Sequence, residues 1–209
     1  MRFKGVKVGF ALTGSFCTLE EVMIQVQNLI NEGANVFTIV SQVMAETDTR
    51  YGTAVQWKEM LVEITANSII DNIVAAEPIG PGELLDVIVV APCTGNTLAK
   101  LANGITAGPD LMSIKRQLPN QRPVVIAIST NDGLGLNAKN IGLLLNTKNI
   151  YLVPFGQDNP LVKPNSLMAK MDLISDTIFM ALQGKQVQPV LAAPIPGVVL
   201  SAPIHRAAG

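Results

Sequence analysis

The sequence is short of charge. Only 15% of its 209 residues are Asp, Glu, Lys or Arg, against 48% hydrophobic. That balance excludes a disordered chain, which combines low hydrophobicity with high charge. The 15 Lys and Arg and 16 Asp and Glu leave a net charge of −1, and no basic block stands out. A nucleic-acid surface is therefore not expected. Two cysteines, Cys17 and Cys93, make no disulfide framework. No apolar run approaches the ~20 residues of a membrane span. Residues 6–12 are apolar but stop at Thr13-Gly14 with no cleavage-like site, so the chain is read as cytoplasmic, with no membrane partner. Both the G-x-x-x-x-G-K-[ST] phosphate loop and a dinucleotide fingerprint are missing. Histidine is all but missing too: His205 stands alone. No metal site is read. So many apolar residues with so little charge suggest a surface partly covered by other subunits, that is, a homo-oligomer.

The chain is organised around residues 86–100. Val87, Ile88, Val89, Val90 and Ala91 form an apolar run without alternation, the pattern of a parallel strand covered on both faces. Pro92 is expected to end it, because proline cannot donate to a ladder. Thr94, Asn96 and Thr97 then put short polar side chains at the start of a helix that begins near Leu98. Free N–H groups and the helix dipole make such a start an anion site. The same residues serve equally as ordinary helix caps.

Along the chain, residues 6–12 read as the first strand and residues 19–32 as a helix, with Val22, Val26, Leu29 and Ile30 in step. Thr18 is its expected N-cap, with Glu21 completing a capping box, and Gly33 its C′ residue. Residues 35–40 form the second strand, and residues 53–66 a helix with Trp57, Met60, Leu61 and Ile64 on one stripe. Glu77-Pro78-Ile79-Gly80-Pro81-Gly82 must be irregular. Pro109 stands near a further helix start. Residues 124–129 and 150–155 read as the last strands, and residues 140–145 and 166–182 as helices. From Gln188 on, Pro189, Pro194, Pro196 and Pro203 mark an extended tail that contains His205.

The alternation of strand and helix predicts a single α/β domain over residues 1–188: Rossmann-like, three-layered, with a doubly wound, mainly parallel sheet. A Pro- and Ala-rich tail spans residues 189–209. Such sheets bind ligands outside the carboxyl ends of their strands. Four exits carry small polar residues: Gly14 and Ser15; Ser41; Cys93, Thr94, Asn96 and Thr97; and Ser129, Thr130 and Asn131. Gathered on one edge, they predict an uncharged polar pocket for a nucleotide or flavin with at least one phosphate-sized anion.

Thr13-Gly14-Ser15, a Ser after the second strand, and Ala91-Pro92-Cys93-Thr94-Gly95-Asn96-Thr97 resemble the FMN-binding, homo-oligomeric flavoprotein family of cysteine decarboxylases. There the third motif usually reads Pro-Ala-Ser-Ala-Asn-Thr. Ala76-Glu77-Pro78-Ile79-Gly80-Pro81, Ser129-Thr130-Asn131-Asp132-Gly133-Leu134-Gly135 and Lys163-Pro164-Asn165-Ser166 are similar to one branch of it. Members of that branch work as one of two subunits of a dipicolinate-forming synthase. The resemblance covers about residues 4–191.

The resemblance implies an oxidoreductase subunit acting in the mother cell of a sporulating bacterium. A dihydrodipicolinate-type dicarboxylate on the lysine and diaminopimelate pathway would be oxidised together with a nicotinamide-dependent A subunit, which brings NADP. It implies a trimer or dodecamer with FMN at a subunit interface. Gly14, Ser15, Ser41, Thr94, Asn96 and Thr97 would hold the FMN phosphate and ribityl chain, with Pro92 and Cys93 alongside. Ser129, Thr130, Asn131 and Asp132 would lie near the flavin ring or substrate. The decarboxylase branch uses a histidine that this chain lacks before His205, which disfavours that mechanism. A non-catalytic activating subunit and a decarboxylase-like flavoprotein remain as alternatives. Catalytic candidates are Cys93 and Asp132; Cys93 also reads as a small buried residue, and Asn131-Asp132-Gly133 as turn chemistry. Lys100, Lys139, Lys163 and Lys170 are the cations that could meet a dicarboxylate, or plain surface charge.

Overall fold

The computed structural model describes residues 1–79 and 85–192. Four parallel strands make its spine: β1 (Lys7–Leu12), β2 (Asn35–Val40), β3 (Val87–Cys93) and β4 (Val124–Thr130), in the order β2-β1-β3-β4. Every residue of β3 is buried, as its unbroken apolar run requires of a strand covered on both faces. Helices α1 (Leu19–Asn31), α2 (Gln42–Glu46), α3 (Ala54–Thr65) and α4 (Ile73–Ala76) precede β3. Between β3 and β4 come α5 (Gly95–Ala102) and α6 (Pro109–Gln117). Since β1 to β2 and β3 to β4 step in opposite directions, right-handed crossovers put α1 and α6 on opposite faces. The Rossmann-like three-layer α/β architecture is therefore present. Among the described residues no helix is long and apolar enough to cross a membrane.

Beyond β4 the chain departs from simple repetition. After α7 (Ala138–Leu145), the stretch read as one strand over residues 150–155 is two: β5 (Ile150–Leu152) and β6 (Phe155–Gly156), broken by Val153-Pro154. Pro154 has no N–H for a ladder. β5 pairs in parallel with the first half of β4, from Val124↔Ile150 to Ile126↔Leu152. The second half of β4 pairs antiparallel with β7 (Leu167–Ala169), which continues to β6. The helix expected over residues 166–182 is thereby corrected. Residues 167–169 are strand because β5 has left the end of β4 open to pairing, and only α8 (Ile174–Ala181) is α-helix.

Three smaller expectations also change. Thr18 stands at the N-cap of α1 but forms no side-chain cap; its hydroxyl donates instead to Ser15 O at 2.9 Å, closing a 3-10 turn over Phe16–Thr18. Pro92 does not end β3: the strand runs on to Cys93 through a register shift after Val90, and a bulge is where an internal strand tolerates proline. Met60, read with the apolar stripe of α3, is 42% exposed, while Trp57 and Leu61 are buried. Gly80, Pro81 and Gly82 of the irregular segment, and the tail from residue 193 with His205, lie outside the described residues. Residues 190–192 bond to Phe155, by Phe155 N to Val190 O (3.0 Å) and Ala192 N to Phe155 O (2.8 Å).

Both flanks of the parallel sheet are closed by single residues. Ile70 bonds to Thr38 and Val40 beside β2. Beside β5, the Gln186 side-chain amide accepts from Leu152 N at 2.8 Å and donates to Leu152 O at 2.6 Å, imitating a strand. Unpaired edges invite foreign strands, so such cover has structural value. Gln186→Ala is expected to cost about 1–2 kcal/mol in denaturant unfolding and to speed hydrogen exchange at the Leu152 amide more than at Val89.

Candidate functional site

The parallel strands deliver their carboxyl ends to one edge, so all four polar exits meet there. The turn after β3 is the centre. Thr94 is extended at the N-cap of α5, its hydroxyl accepting the Thr97 N–H at 3.3 Å. The N–H groups of Gly95 and Asn96, in the first turn, have no intrahelical acceptor. Gly95 is a close-approach position: a Cβ there would stand 2.6 Å from Asn137 Nδ2 and from Thr130 Oγ1. Glycine thus lets α5 start directly against the exit of β4.

Cross-links between exits fix the edge. The buried Thr13 hydroxyl donates to Pro92 O (2.6 Å) and accepts the Thr94 N–H (3.1 Å). Ser15 Oγ and Ser129 Oγ meet at 2.8 Å, joining the exits of β1 and β4 across that of β3. Ser41 caps its own helix by accepting the Met44 N–H, which leaves its hydroxyl proton to donate. Asp132 is likewise engaged: Oδ1 accepts from Leu136 N at 3.0 Å and Oδ2 from Asn137 Nδ2 at 3.3 Å. These bonds staple the loop, and each carboxylate oxygen keeps a further acceptor site. Ser166 Oγ donates to Asn131 Oδ1 at 3.4 Å, bringing the loop before β7 onto the edge.

Two clefts open between these groups. The smaller, about 260 Å³, is lined by Thr13, Gly14, Ser41, Thr94, Asn96, Thr97, Lys100 and Asp110 among others. The larger, about 340 Å³, is lined by Gly14, Ser15, Cys17, Thr94, Ser129, Thr130, Asn131, Asp132, Lys163 and Ser166, with Asp158. Gly14 and Thr94 line both, so the two adjoin across the turn after β3.

The structure thus brings nine of the eleven expected cofactor-site residues to the two clefts. The other two, Pro92 and Cys93, lie buried in β3 and line neither. Burial, and after it the charge of Asp110, pushes the Cys93 thiol far up, so it stays protonated. Of the lysines, Lys100 lines the smaller cleft and Lys163 the larger; Lys170 lines a separate hollow with Glu21, and Lys139 is exposed on α7. Sequence reading missed Thr13, Ser166 and Asp110. Asp110 sits in the first turn of α6 just after Pro109, where it reads as an ordinary helix start.

The Flavoprotein family pattern matches residues 2–183. The B subunit of dipicolinate synthase from Bacillus subtilis (strain 168) is 50% identical over 188 residues, covering 90% of this chain and 94% of that protein. The crystal structure of the B subunit of dipicolinate synthase from Bacillus halodurans C superposes with a TM-score of 0.86 at 50% identity, over 93% of this chain and 100% of that one. In fold alone, Burkholderia xenovorans DmrB, solved in complex with FMN, is similar with a TM-score of 0.59 at 19% identity, over 70% of this chain and 87% of that one.

Two outcomes follow from the geometry. Thr13→Val strands a carbonyl and an N–H and should cost about 2–3 kcal/mol in unfolding free energy, whereas Thr13→Ser should cost less than about 1.5. Alkylation of the native protein, read by peptide mass spectrometry, should modify exposed Cys17 and spare Cys93, which becomes reactive only on unfolding.

Proposed function

Since the chain belongs to the Flavoprotein family, we propose that it holds FMN across the two adjoining clefts and serves as the flavin-bearing subunit of a dipicolinate-forming synthase. The observation that carries this reading is the shared lining of Gly14 and Thr94: a helix N-terminus with Lys100 on one side, a hydroxyl-rich wall flanked by Asp132, Asp158 and Lys163 on the other. The donor set suits the molecule. Asn96, Ser41, Lys100 and the first N–H groups of α5 would receive the phosphate. Ser15, Ser129, Thr130 and Asn131 would receive the polar ribityl chain and ring edge. Pro92, Cys93 and Thr13 would hold the floor beneath. FMN, when bound, supplies an acceptor for two electrons.

The chain's own residues would bind and orient. A dihydropyridine dicarboxylate that becomes a pyridine loses a hydride and a proton, and carries two carboxylates throughout. Lys163 lines the larger cleft and is the cation available to one of them. Asp132, with both oxygens engaged, shapes the loop that bounds that cleft. The name of the 50% identical relatives supports this substrate class and the existence of an A subunit; that subunit would bring NADP. A homo-oligomer would complete the cleft walls.

The test is spectroscopic and then kinetic. Purified protein mixed with FMN and passed through a desalting column should carry an absorption band near about 450 nm. Lys100→Ala should weaken FMN about tenfold, as loss of one ion pair of this kind does. Oxidation of the dicarboxylate should need both this chain and the A subunit. No flavin bound under any condition would overturn the cofactor assignment. Full activity of a flavin-free protein with its partner would favour a non-catalytic activating subunit instead.

A further inference from the structure

The larger cleft holds a carboxylate that the fold has not spent. Asp158 lines it, on the loop between β6 and β7. Its Oδ1 is buried with no hydrogen-bond partner among the described residues, and an unmet buried acceptor is costly to keep. The loop is built to hold it there. Gln157 Nε2 donates to Pro164 O at 2.7 Å across the neck. Inside the loop, Lys163 N donates to Asn159 O at 2.7 Å and Val162 N to Asn159 Oδ1 at 3.2 Å. Leu134 N donates to Asn165 O at 3.0 Å, tying the neck to the loop after β4. One short loop thus delivers an acid, Asp158, and a cation, Lys163, to the same cleft. Among the described residues the two form no ion pair with each other.

The proposed oxidation has a use for such a group. When a dihydropyridine dicarboxylate becomes a pyridine, one ring hydrogen leaves with its bonding pair as a hydride, to a two-electron oxidant of the flavin or nicotinamide class. A second ring hydrogen leaves as a proton, and the pair that held it stays behind in the last ring double bond. That proton needs a base. Most of the cleft cannot serve: Ser15, Thr94, Ser129, Thr130 and Ser166 offer hydroxyls, and Lys163 is already a cation. Asp132, the other carboxylate of the larger cleft besides Asp158, accepts from Leu136 N and Asn137 Nδ2 and staples its own loop. We propose that Asp158 is a catalytic residue: its carboxylate takes the ring proton as the dicarboxylate is aromatised, while Lys163 holds a carboxylate of the same molecule. An O–H bond forms on Asp158, and water later removes that proton. This rests on the reading of the chain as a synthase subunit and adds the proton acceptor that the reaction requires.

The surroundings suit that role. Asp158 and Met168 also line the hollow of Glu21, Gln157 and Lys170, about 170 Å³ in volume. Asp158 therefore stands on a wall common to cleft and hollow. A proton taken on the cleft side can pass to water in the hollow while the product still fills the cleft. The charged or titratable groups around Asp158 are Cys17, Asp132 and Lys163 in the cleft and Glu21 and Lys170 in the hollow.

The experiment compares wild type with Asp158→Asn, each mixed with FMN, the A subunit and NADP, and titrates each separately with the pyridine dicarboxylate product. Asn keeps the shape of the side chain and cannot take up a proton. The kcat should fall about a hundredfold or more, the lower end of what a positioned base contributes. Product binding should hold or tighten, because the variant removes a negative charge from the cleft of a dianion. Wild-type kcat/KM should drop toward low pH, where a base is protonated, and that acid limb should be missing from the variant. A smaller fall in kcat overturns the assignment. So does a fall matched by an equal loss of product binding, which marks a structural role for the loop, and so does an acid limb that persists unchanged in Asp158→Asn. If wild type turns over and the variant keeps pace, this proposal alone fails. If wild type with its partner never oxidises the dicarboxylate, the synthase reading fails and takes this one with it.

Discussion

One hydroxyl holds the functional edge together. β3 enters its turn through a bulge at Pro92, where the register against β4 shifts and proline has no N–H to offer. The Pro92 carbonyl and the Thr94 N–H are left without ladder partners, and an unpaired buried polar group is costly. Thr13, on the neighbouring strand, takes both. That single side chain fixes where α5 begins, hence where its free N–H groups point and where the two clefts divide. The Ser15–Ser129 bridge then sets the width of the larger one.

The edge is rich in hydroxyls and amides as well as a few charges, and that suits its chemistry. Threonine, serine and aspartate side chains bond first to each other and to the backbone: Ser41 to Met44, Thr94 to Thr97, Asp132 to Leu136 and Asn137. What reaches the cleft is the remainder of each group's bonding capacity. An arrangement of this kind discriminates by the direction of its donors and acceptors as much as by its charge.

The parallel core was legible because burial on both faces leaves a plain trace: residues 87–91 and 124–128 are unbroken apolar runs, and both are buried strands. The strand exits were legible for a related reason, since turns need small polar residues and a parallel sheet puts its exits on one edge. What stayed hidden depends on long-range pairing. Nothing local in Leu167-Met168-Ala169 marks a strand; it is one because β5 peels off at Pro154 and leaves Ser129 and Thr130 unpaired. Thr13 and Asp110 were invisible likewise. A threonine before a turn and an aspartate in a first helical turn have ordinary local explanations, and only the fold places one between two strands and the other in a cleft.

The fork in β4 also gives the site a history. The smaller cleft uses residues from Thr13 to Leu111, whereas the larger needs Ser166, Leu167 and Met168 as well. A chain emerging from the ribosome makes its residues in that order, at roughly 5–20 per second. The half that greets the anion has all its residues several seconds before the half that surrounds the rest of the ligand.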